Sequence, residues 1–225
     1  MIKRVQAALI ALVFCFGFSA TSRAQMGMNF FKKPSIADIF KPVVGAGAVY
    51  QTDDGQKKET LEMSVVAKDT ADGKEAFWLE FGHTDSRSGQ LTYAKMLVTR
   101  EDFQFHRIIV QPAGQPQPME IPVSGAMSRQ PSMQEDATEK WQKVGTETIT
   151  VPAGTYSCDH WTKVEGKGDV WTSSKVSPMT LVKQTSPGRS MVLVKVLTDA
   201  QDHITGTPIK FDPQQMMQQH QRPQP

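Results

Sequence analysis

Cysteine is scarce in this chain, which has 225 residues and only two cysteines, Cys15 and Cys158. Cys15 lies within an apolar run, residues 5–18, that follows a basic start and precedes small residues up to Ala24. This order is typical of a secretory signal peptide, so we predict that residues 1–24 are removed on export. Phe14 stands where a lipoprotein signal needs a small residue, so we expect no lipid anchor. The mature chain would keep Cys158 alone and form no internal disulfide.

Long hydrophobic runs and an excess of one charge are also missing. Residues 5–18 are too few to span a bilayer, and no other stretch is long enough. Without Lys3, Arg4 and Arg23 the mature chain has 22 basic and 23 acidic residues, a net charge of −1. Near neutrality gives no support for binding to nucleic acid or to anionic membranes. We expect a mature protein of 201 residues, not membrane-spanning, in the periplasm or secreted.

Signatures of catalysis are absent from the sequence as well. It has no Gly-rich phosphate loop, no nucleophile elbow and no zinc-binding helix motif. Asp53, Asp54 and Gly55 resemble the start of a calcium loop, but the later acidic ligand is missing, which favours a simple turn. We therefore predict a protein that is not an enzyme, with no cofactor and no metal.

Short alternating segments separated by turn residues are what the chain does contain. Within residues 46–123, for example, Leu61, Met63 and Val65 alternate with Glu62 and Ser64. Regular short strands of this kind predict an antiparallel sheet with one buried face. We assign residues 25–211 to a single β domain, and the Gln- and Pro-rich residues 212–225 to a disordered tail.

A short helix is predicted before the first strand. Ser35 is a suitable N-cap, and Ile36, Ile39 and Phe40 would lie on one stripe before Pro42 ends the helix. A helix of this length is unstable alone in water, so it must dock on the sheet. Two interpretations remain open, a helix simply packed on the sheet or a lid over a cavity.

Residues 125–143 interrupt the strand pattern with Pro131 and several polar residues. We predict a loop with one helical turn. It is either a connection over the open mouth of a barrel or a plain surface loop.

The densest pattern lies in residues 147–183. Strand-like runs are separated by the turn Pro152-Ala153-Gly154 and by a Gly-rich hairpin at residues 166–168. The run contains VPAGTY, then Cys-x-His at residues 158–160, Trp-Thr-Ser at 171–173 and Leu-Val-Lys at 181–183. This series resembles a group of exported bacterial proteins of unknown function, as does the later run 191–208.

That group is similar in architecture to the periplasmic lipoprotein carriers. The resemblance implies a mainly β fold, a curved antiparallel half-barrel that is incompletely closed and carries a short N-terminal helix. It covers the last third of the chain strongly and the rest only by strand pattern, and it transfers no catalytic residue.

Cys158 and His160 are two residues apart and share one strand face. A thiol beside an imidazole can be a nucleophilic pair or half of a metal site. The remaining histidines are scattered singly, which favours a buried structural cysteine with a hydrogen-bonded histidine. Tyr156 and Trp161 are interpreted as packing residues.

A cavity on the concave side of the sheet is the candidate site. Its predicted lining consists of large apolar side chains: Ile36, Ile39, Phe40, Leu61, Met63, Phe77, Leu79, Phe81 and Ile149. The function hypothesis is an exported, non-catalytic protein that binds or carries a lipid or another amphiphile. The alternative is an envelope structural or interaction protein, bound to another envelope protein, whose interior is filled by side chains.

Overall fold

A computed structural model describes residues 36–84, 89, 91–111, 117–123 and 141–210. The predicted signal peptide, most of the predicted loop at 125–143 and the tail at 212–225 lie outside these residues. The elements are α1 (Ile36–Ile39), β1 (Gly47–Asp53), β2 (Lys58–Ala71), β3 (Lys74–Thr84), β4 (Leu91–Thr99), β5 (Phe105–Gln111), β6 (Met119–Ile121), β7 (Trp141–Val151), β8 (Gly154–Lys163), β9 (Asp169–Thr172), β10 (Leu181–Ser186), β11 (Arg189–Leu197) and β12 (Ile209–Lys210). Among these residues no helix has the length and apolar character that crossing a bilayer requires.

All of these strands belong to one curved, unclosed sheet, which confirms the predicted fold class. The strand order is β12-β6-β5-β4-β3-β2-β1-β11-β10-β9-β8-β7, and every pair is antiparallel except β6 with β12. Two meanders of consecutive strands, β1–β6 and β7–β11, are joined where β1 pairs with β11. In the part of the chain that the structure describes, the sheet therefore ends at β7 on one side and at β12 on the other.

The longest hairpin, β2–β3, shows how the sequence pattern produces the sheet. Its two-residue turn places Asp72 at φ 49° and Gly73 at φ 75°, the left-handed pair that a tight hairpin of this kind requires. Beyond a bulge between Val65 and Ala67, the register places Val65 opposite Leu79 and Met63 opposite Phe81. Alternate side chains of the two strands consequently collect on one face: Leu61, Met63 and Val65 of β2 and Phe77, Leu79 and Phe81 of β3.

Three apolar clusters pack against the sheet. The α1 cluster contains Ile39, Phe40, Val65, Phe77, Leu79, Phe81, Met96, Val98, Phe103, Phe105 and Met179. The β10 cluster contains Ala48, Tyr50, Trp141, Val151, Cys158, Val170, Val176, Leu181, Val182 and Leu193. The strap cluster contains Ala71, Ala76, Trp78, Leu97, Ile109 and Ile204. We call residues 199–208, the irregular segment that carries Ile204, the C-terminal strap.

The predicted loop at 125–143 was wrong at its end, because residues 141–143 belong to strand β7. Trp141 pairs with Lys163 of β8 and is only 7% exposed. The strand was hidden because β7 lies at the sheet edge and most of its side chains are exposed. A register shift near Val144 also breaks the alternation that a strand pattern needs.

Candidate functional site

The apolar face under α1 is the first candidate site. Phe40 is 1% exposed, and its ring meets the edges of two others, with centroid distances of 5.0 Å to Phe103 and 6.3 Å to Phe77. Ile39 is fully buried beside it. Edge-to-face contacts at these distances are favourable beyond the area they bury. The last helical residue and the one after it therefore fill the centre of the α1 cluster.

Most of the predicted cavity residues meet in this cluster. Phe77, Leu79 and Phe81 of β3 are buried in it, and Leu61 and Met63 of β2 are partly buried against it. The side chain of Ile36 lies outside the described residues. Ile149 does not join the others, because it packs against the β10 cluster.

Six residues of the cluster are absent from the predicted cavity lining: Val65, Met96, Val98, Phe103, Phe105 and Met179. Phe103 lies in the β4–β5 turn at φ 53°, Phe105 begins β5, and Met179 lies in the loop between β9 and β10. Phe103 and Phe105 stand in an apolar stretch that indicates burial but not a partner. Met179 is about 140 residues from α1, and no local pattern indicates that the two meet.

The backbone around α1 is held by a loop and not by the sheet ladder. Lys41 N donates to the carbonyl of Pro178 over 2.8 Å, and Val43 N donates to Ser177 Oγ over 3.2 Å. Gly45 N then donates to Val65 O, where the chain joins the sheet. Within the described residues, the four-residue helix thus has few backbone restraints, and burial of Ile39 and Phe40 supplies much of its docking, about 1.5 to 3 kcal/mol for each side chain.

Residues of the exported-protein pattern form a second constellation, across β7 to β10. The register pairs His160 with Trp171 and Trp171 with Lys183. The imidazole is stacked on the indole with centroids 4.5 Å apart, and Lys183 Nζ lies 5.0 Å from the same indole. Trp171 Nε1 donates to Glu147 Oε1 over 2.5 Å. Glu147, His160, Trp171 and Lys183 therefore make one cross-strand ladder, although the sequence separates them by up to 36 positions.

The histidine of this ladder is engaged by carboxylates on both sides. His160 Nδ1 lies 3.0 Å from Glu147 Oε1, and Nε2 lies 2.9 Å from Asp169 Oδ1. Its ring nitrogens are thus used for cross-strand links and leave none for proton exchange with a nucleophile. Among the residues that the structure describes, no group of three or more His, Cys, Asp and Glu side chains is arranged to hold a metal ion.

Cys158 is a buried thiol that is not paired with His160. It is 1% exposed, and its Sγ lies 3.7 Å from the carbonyl oxygen of Tyr156. Burial raises the pKa of the thiol to about 11, and the carboxylates of Glu147 and Asp159 act in the same direction. A thiol that stays protonated at neutral pH is a poor nucleophile, which favours the structural interpretation.

Cys158 is expected to react with thiol reagents only after the protein is denatured. Cys158→Ala should lower the free energy of unfolding by about 1 to 2 kcal/mol, the cost of a small core truncation. The unfolded thiol has the ordinary pKa of 9.0. The contribution of Cys158 to the free energy of unfolding should therefore fall as pH rises from about 9 to about 11. Rapid labelling of the native mature protein at neutral pH would instead identify a functional thiol.

Comparison with known proteins finds likeness only among solved structures. No family model matches the chain. No curated protein matches it. A predicted lipoprotein from Parabacteroides distasonis ATCC 8503 aligns with 70% of this chain and 98% of its own, at 15% identity and a TM-score of 0.40. A predicted exported protein with a YmcC-like fold from Bacteroides fragilis NCTC 9343 aligns over the same shares, at 14% identity and a TM-score of 0.37.

A third solved structure, MucB, aligns with 76% of this chain and 60% of its own. The identity is 13% and the TM-score is 0.42. MucB has also been solved in complex with the periplasmic part of MucA. No functional residue is transferred from these structures to this chain.

Proposed function

We propose that this is an exported, non-catalytic binding protein whose sheet face under α1 takes the apolar chain of an amphiphile. The observation that carries the proposal is that a four-residue helix covers a broad apolar face, with Ile39 and Phe40 buried at its centre. Removal of this cover would uncover Phe77, Leu79 and Phe81 without breaking a strand pair. An acyl chain offers the sheet a comparable apolar surface in return.

The cover can open because its backbone is weakly restrained. A helix of one turn has no stability of its own in water, and elements with few backbone restraints open before the sheet does. The face is filled while α1 is docked, so a ligand must compete with Ile39 and Phe40. Its apparent affinity is the intrinsic affinity reduced by the fraction of molecules in which α1 is displaced.

A second candidate function is an envelope structural or interaction protein with a permanently filled interior. It is favoured by the same cluster in the docked state, in which Phe40, Phe77 and Phe103 pack edge to face with little exposure. Under this alternative α1 is part of the core and the partner binds elsewhere on the protein.

Binding of a fluorescent fatty acid to the mature protein tests the proposal. We expect saturation at one site, and Met63→Lys should abolish binding because it puts a charge on the apolar face at a partly buried position. Val144→Lys adds the same charge at an exposed position of β7 and should bind like the wild type. Circular dichroism checks that both variants are folded.

If no acyl probe binds the folded protein, the filled-interior alternative replaces the proposal. Equal binding by Met63→Lys and Val144→Lys would show that the probe binds away from this face.

A further inference from the structure

A polar cleft opens on the sheet well away from α1, between the tips of two hairpins. We call it the hairpin cleft; it has a volume of about 150 Å³. Its walls are the β1–β2 tip, the β10–β11 tip, and the paired residues Trp141 and Lys163 at the end of the β7–β8 hairpin. Gly168 has no side chain to fill the space beside these walls; a Cβ at this position would lie 3.3 Å from Thr185 O.

Of the five buried side-chain polar atoms that have no partner in the described part of the chain, two belong to residues that line this cleft. Trp141 Nε1 and Gln184 Oε1, which belong to two of its lining residues, have no hydrogen-bond partner. Trp161 Nε1 is also unpartnered, and Trp161 pairs with Val170, which in turn pairs with Gln184. An unpaired buried donor or acceptor costs about 1 to 3 kcal/mol, so such atoms in a native protein require an explanation.

The indole N–H groups of the other two tryptophans both donate a hydrogen bond to a carboxylate. Trp78 Nε1 donates to Asp69 Oδ2 over 3.1 Å, and Trp171 Nε1 donates to Glu147. Only the two indoles at and beside the hairpin cleft lack an acceptor. Two buried donors and one buried acceptor, the oxygen of Gln184, are therefore unused at and beside the cleft.

The charged groups around the cleft are balanced and partly occupied. Three acidic residues, Asp53, Asp54 and Glu59, face three basic ones, Lys57, Lys163 and Arg189. Glu59 is paired with Lys57 over 2.5 Å, and Asp54 Oδ1 accepts the backbone N–H groups of Gln56 and Lys57. Lys163 Nζ lies 5.5 Å from the centre of the Trp141 ring. This balance favours neither an anion nor a cation.

We propose that the hairpin cleft binds a peptide group of an extended segment of a partner polypeptide. A secondary amide supplies both missing partners, because its carbonyl oxygen accepts from Trp141 Nε1 and its N–H donates to Gln184 Oε1. Both atoms are buried in the structure, so both side chains must turn toward the ligand when it binds. The mixed charges at the rim complement the mixed side chains of a polypeptide.

Two features favour a polypeptide over an acetylated amino sugar, which also carries a secondary amide. Lys163 covers one face of the Trp141 ring and removes that face as a platform for a sugar ring. Trp141 is also the first residue of β7, and in the described part of the chain no further strand pairs with the outer edge of β7. A partner backbone that leaves the cleft at Trp141 meets this edge of β7, to which an extended segment can pair as an added strand. None of these residues belongs to the α1 cluster, so the site is separate from the proposed acyl face.

Nuclear magnetic resonance of the four indole N–H groups tests this proposal. The ¹⁵N-labelled mature protein is titrated with N-acetyl-trialanine N-methylamide and, separately, with N,N′-diacetylchitobiose. We expect the capped peptide to shift the Trp141 signal saturably and to leave the Trp78 signal in place, since Trp78 is bonded to Asp69 elsewhere. Trp141→Phe assigns the signal and, like Gln184→Leu, should weaken peptide binding at least tenfold. The matched control Trp171→Phe should bind as the wild type does.

Each outcome decides the proposal. A peptide response that is lost in Trp141→Phe and in Gln184→Leu supports it. A response to the sugar alone assigns the cleft to a glycan and overturns the polypeptide proposal. No response to either probe, or equal shifts at Trp78 and Trp141, also overturns it. If a variant is unfolded, the peptide titration of the wild-type protein, followed at the Trp141 and Trp78 signals, still decides the proposal. The fatty-acid titration of the same samples tests the α1 face separately.

Discussion

Phe40→Ala is expected to lower the free energy of unfolding by about 3 to 5 kcal/mol, the usual cost of removing a buried phenylalanine ring. The ring is 1% exposed and lies edge-to-face between Phe77 and Phe103, so its loss leaves a cavity at the centre of the α1 cluster. Urea denaturation of the mature protein measures this change. If α1 is a displaceable cover, the loss can be smaller, because detachment of α1 limits the cost.

The same substitution should increase the affinity for a fluorescent fatty acid. A weaker cover is displaced in a larger fraction of molecules, and the apparent dissociation constant falls in proportion. Val43→Ala is the matched control, because Val43 is exposed just after α1 and its truncation should change stability by less than about 0.5 kcal/mol. Lower stability with unchanged acyl affinity in Phe40→Ala would show that α1 is core and not a cover.

The half of the sheet that contains the α1 face could be predicted from the sequence because strands have a period of two. The turn at Asp72 and Gly73, together with the bulge between Val65 and Ala67, sets the register in which Leu79 lies opposite Val65. A one-residue slip would have put the apolar side chains of β3 on the other face. The pattern therefore identified Leu61, Met63, Phe77, Leu79 and Phe81 as neighbours from local information alone.

Contacts that depend on the order of distant strands could not be predicted in this way. Ile149 follows the same alternation as the residues of β3. It packs elsewhere because the turn of the β7–β8 hairpin lies against β11, where Ala153 N donates to Leu193 O over 3.4 Å. Met179 and Phe40 meet because β1 pairs with β11, a choice that no local pattern records. The hairpin cleft was missed for the same reason, since its two tips are more than 120 positions apart in the sequence.

The C-terminal strap is a further element that the sequence did not predict, and a buried carboxylate holds it. Glu80 is 1% exposed and accepts the backbone N–H groups of His203 and Ile204, together with Nδ1 of His203 at 2.6 Å. Tyr93 stacks on the His203 ring with centroids 4.2 Å apart. Lys95 Nζ donates to the carbonyl of Ile204 over 2.7 Å. Ile204 is thereby inserted into the strap cluster.

Glu80→Ala should therefore detach the C-terminal strap. The change removes the acceptor of the His203 amide and one of the two acceptors of the Ile204 amide, whose N–H also donates to Asp202 Oδ1, so we expect a loss of about 3 kcal/mol in the free energy of unfolding. Ile204→Ala removes the apolar anchor instead and should cost about 2 to 4 kcal/mol. Gln201→Ala, at an exposed position of the same segment, is the control and should be nearly neutral.

Amide hydrogen exchange distinguishes strap release from general destabilisation. In Glu80→Ala the amides of residues 203 and 204 should exchange much faster than those of β3 and β4. Burial also raises the pKa of Glu80 above its ordinary value of 4.5, so the folded state binds more protons in that range. The contribution of Glu80 to the free energy of unfolding should therefore fall as pH rises above about 4.5. Glu80→Gln should make the free energy of unfolding less dependent on pH in that range. Unchanged exchange at 203 and 204 in Glu80→Ala would show that the carboxylate does not hold the strap.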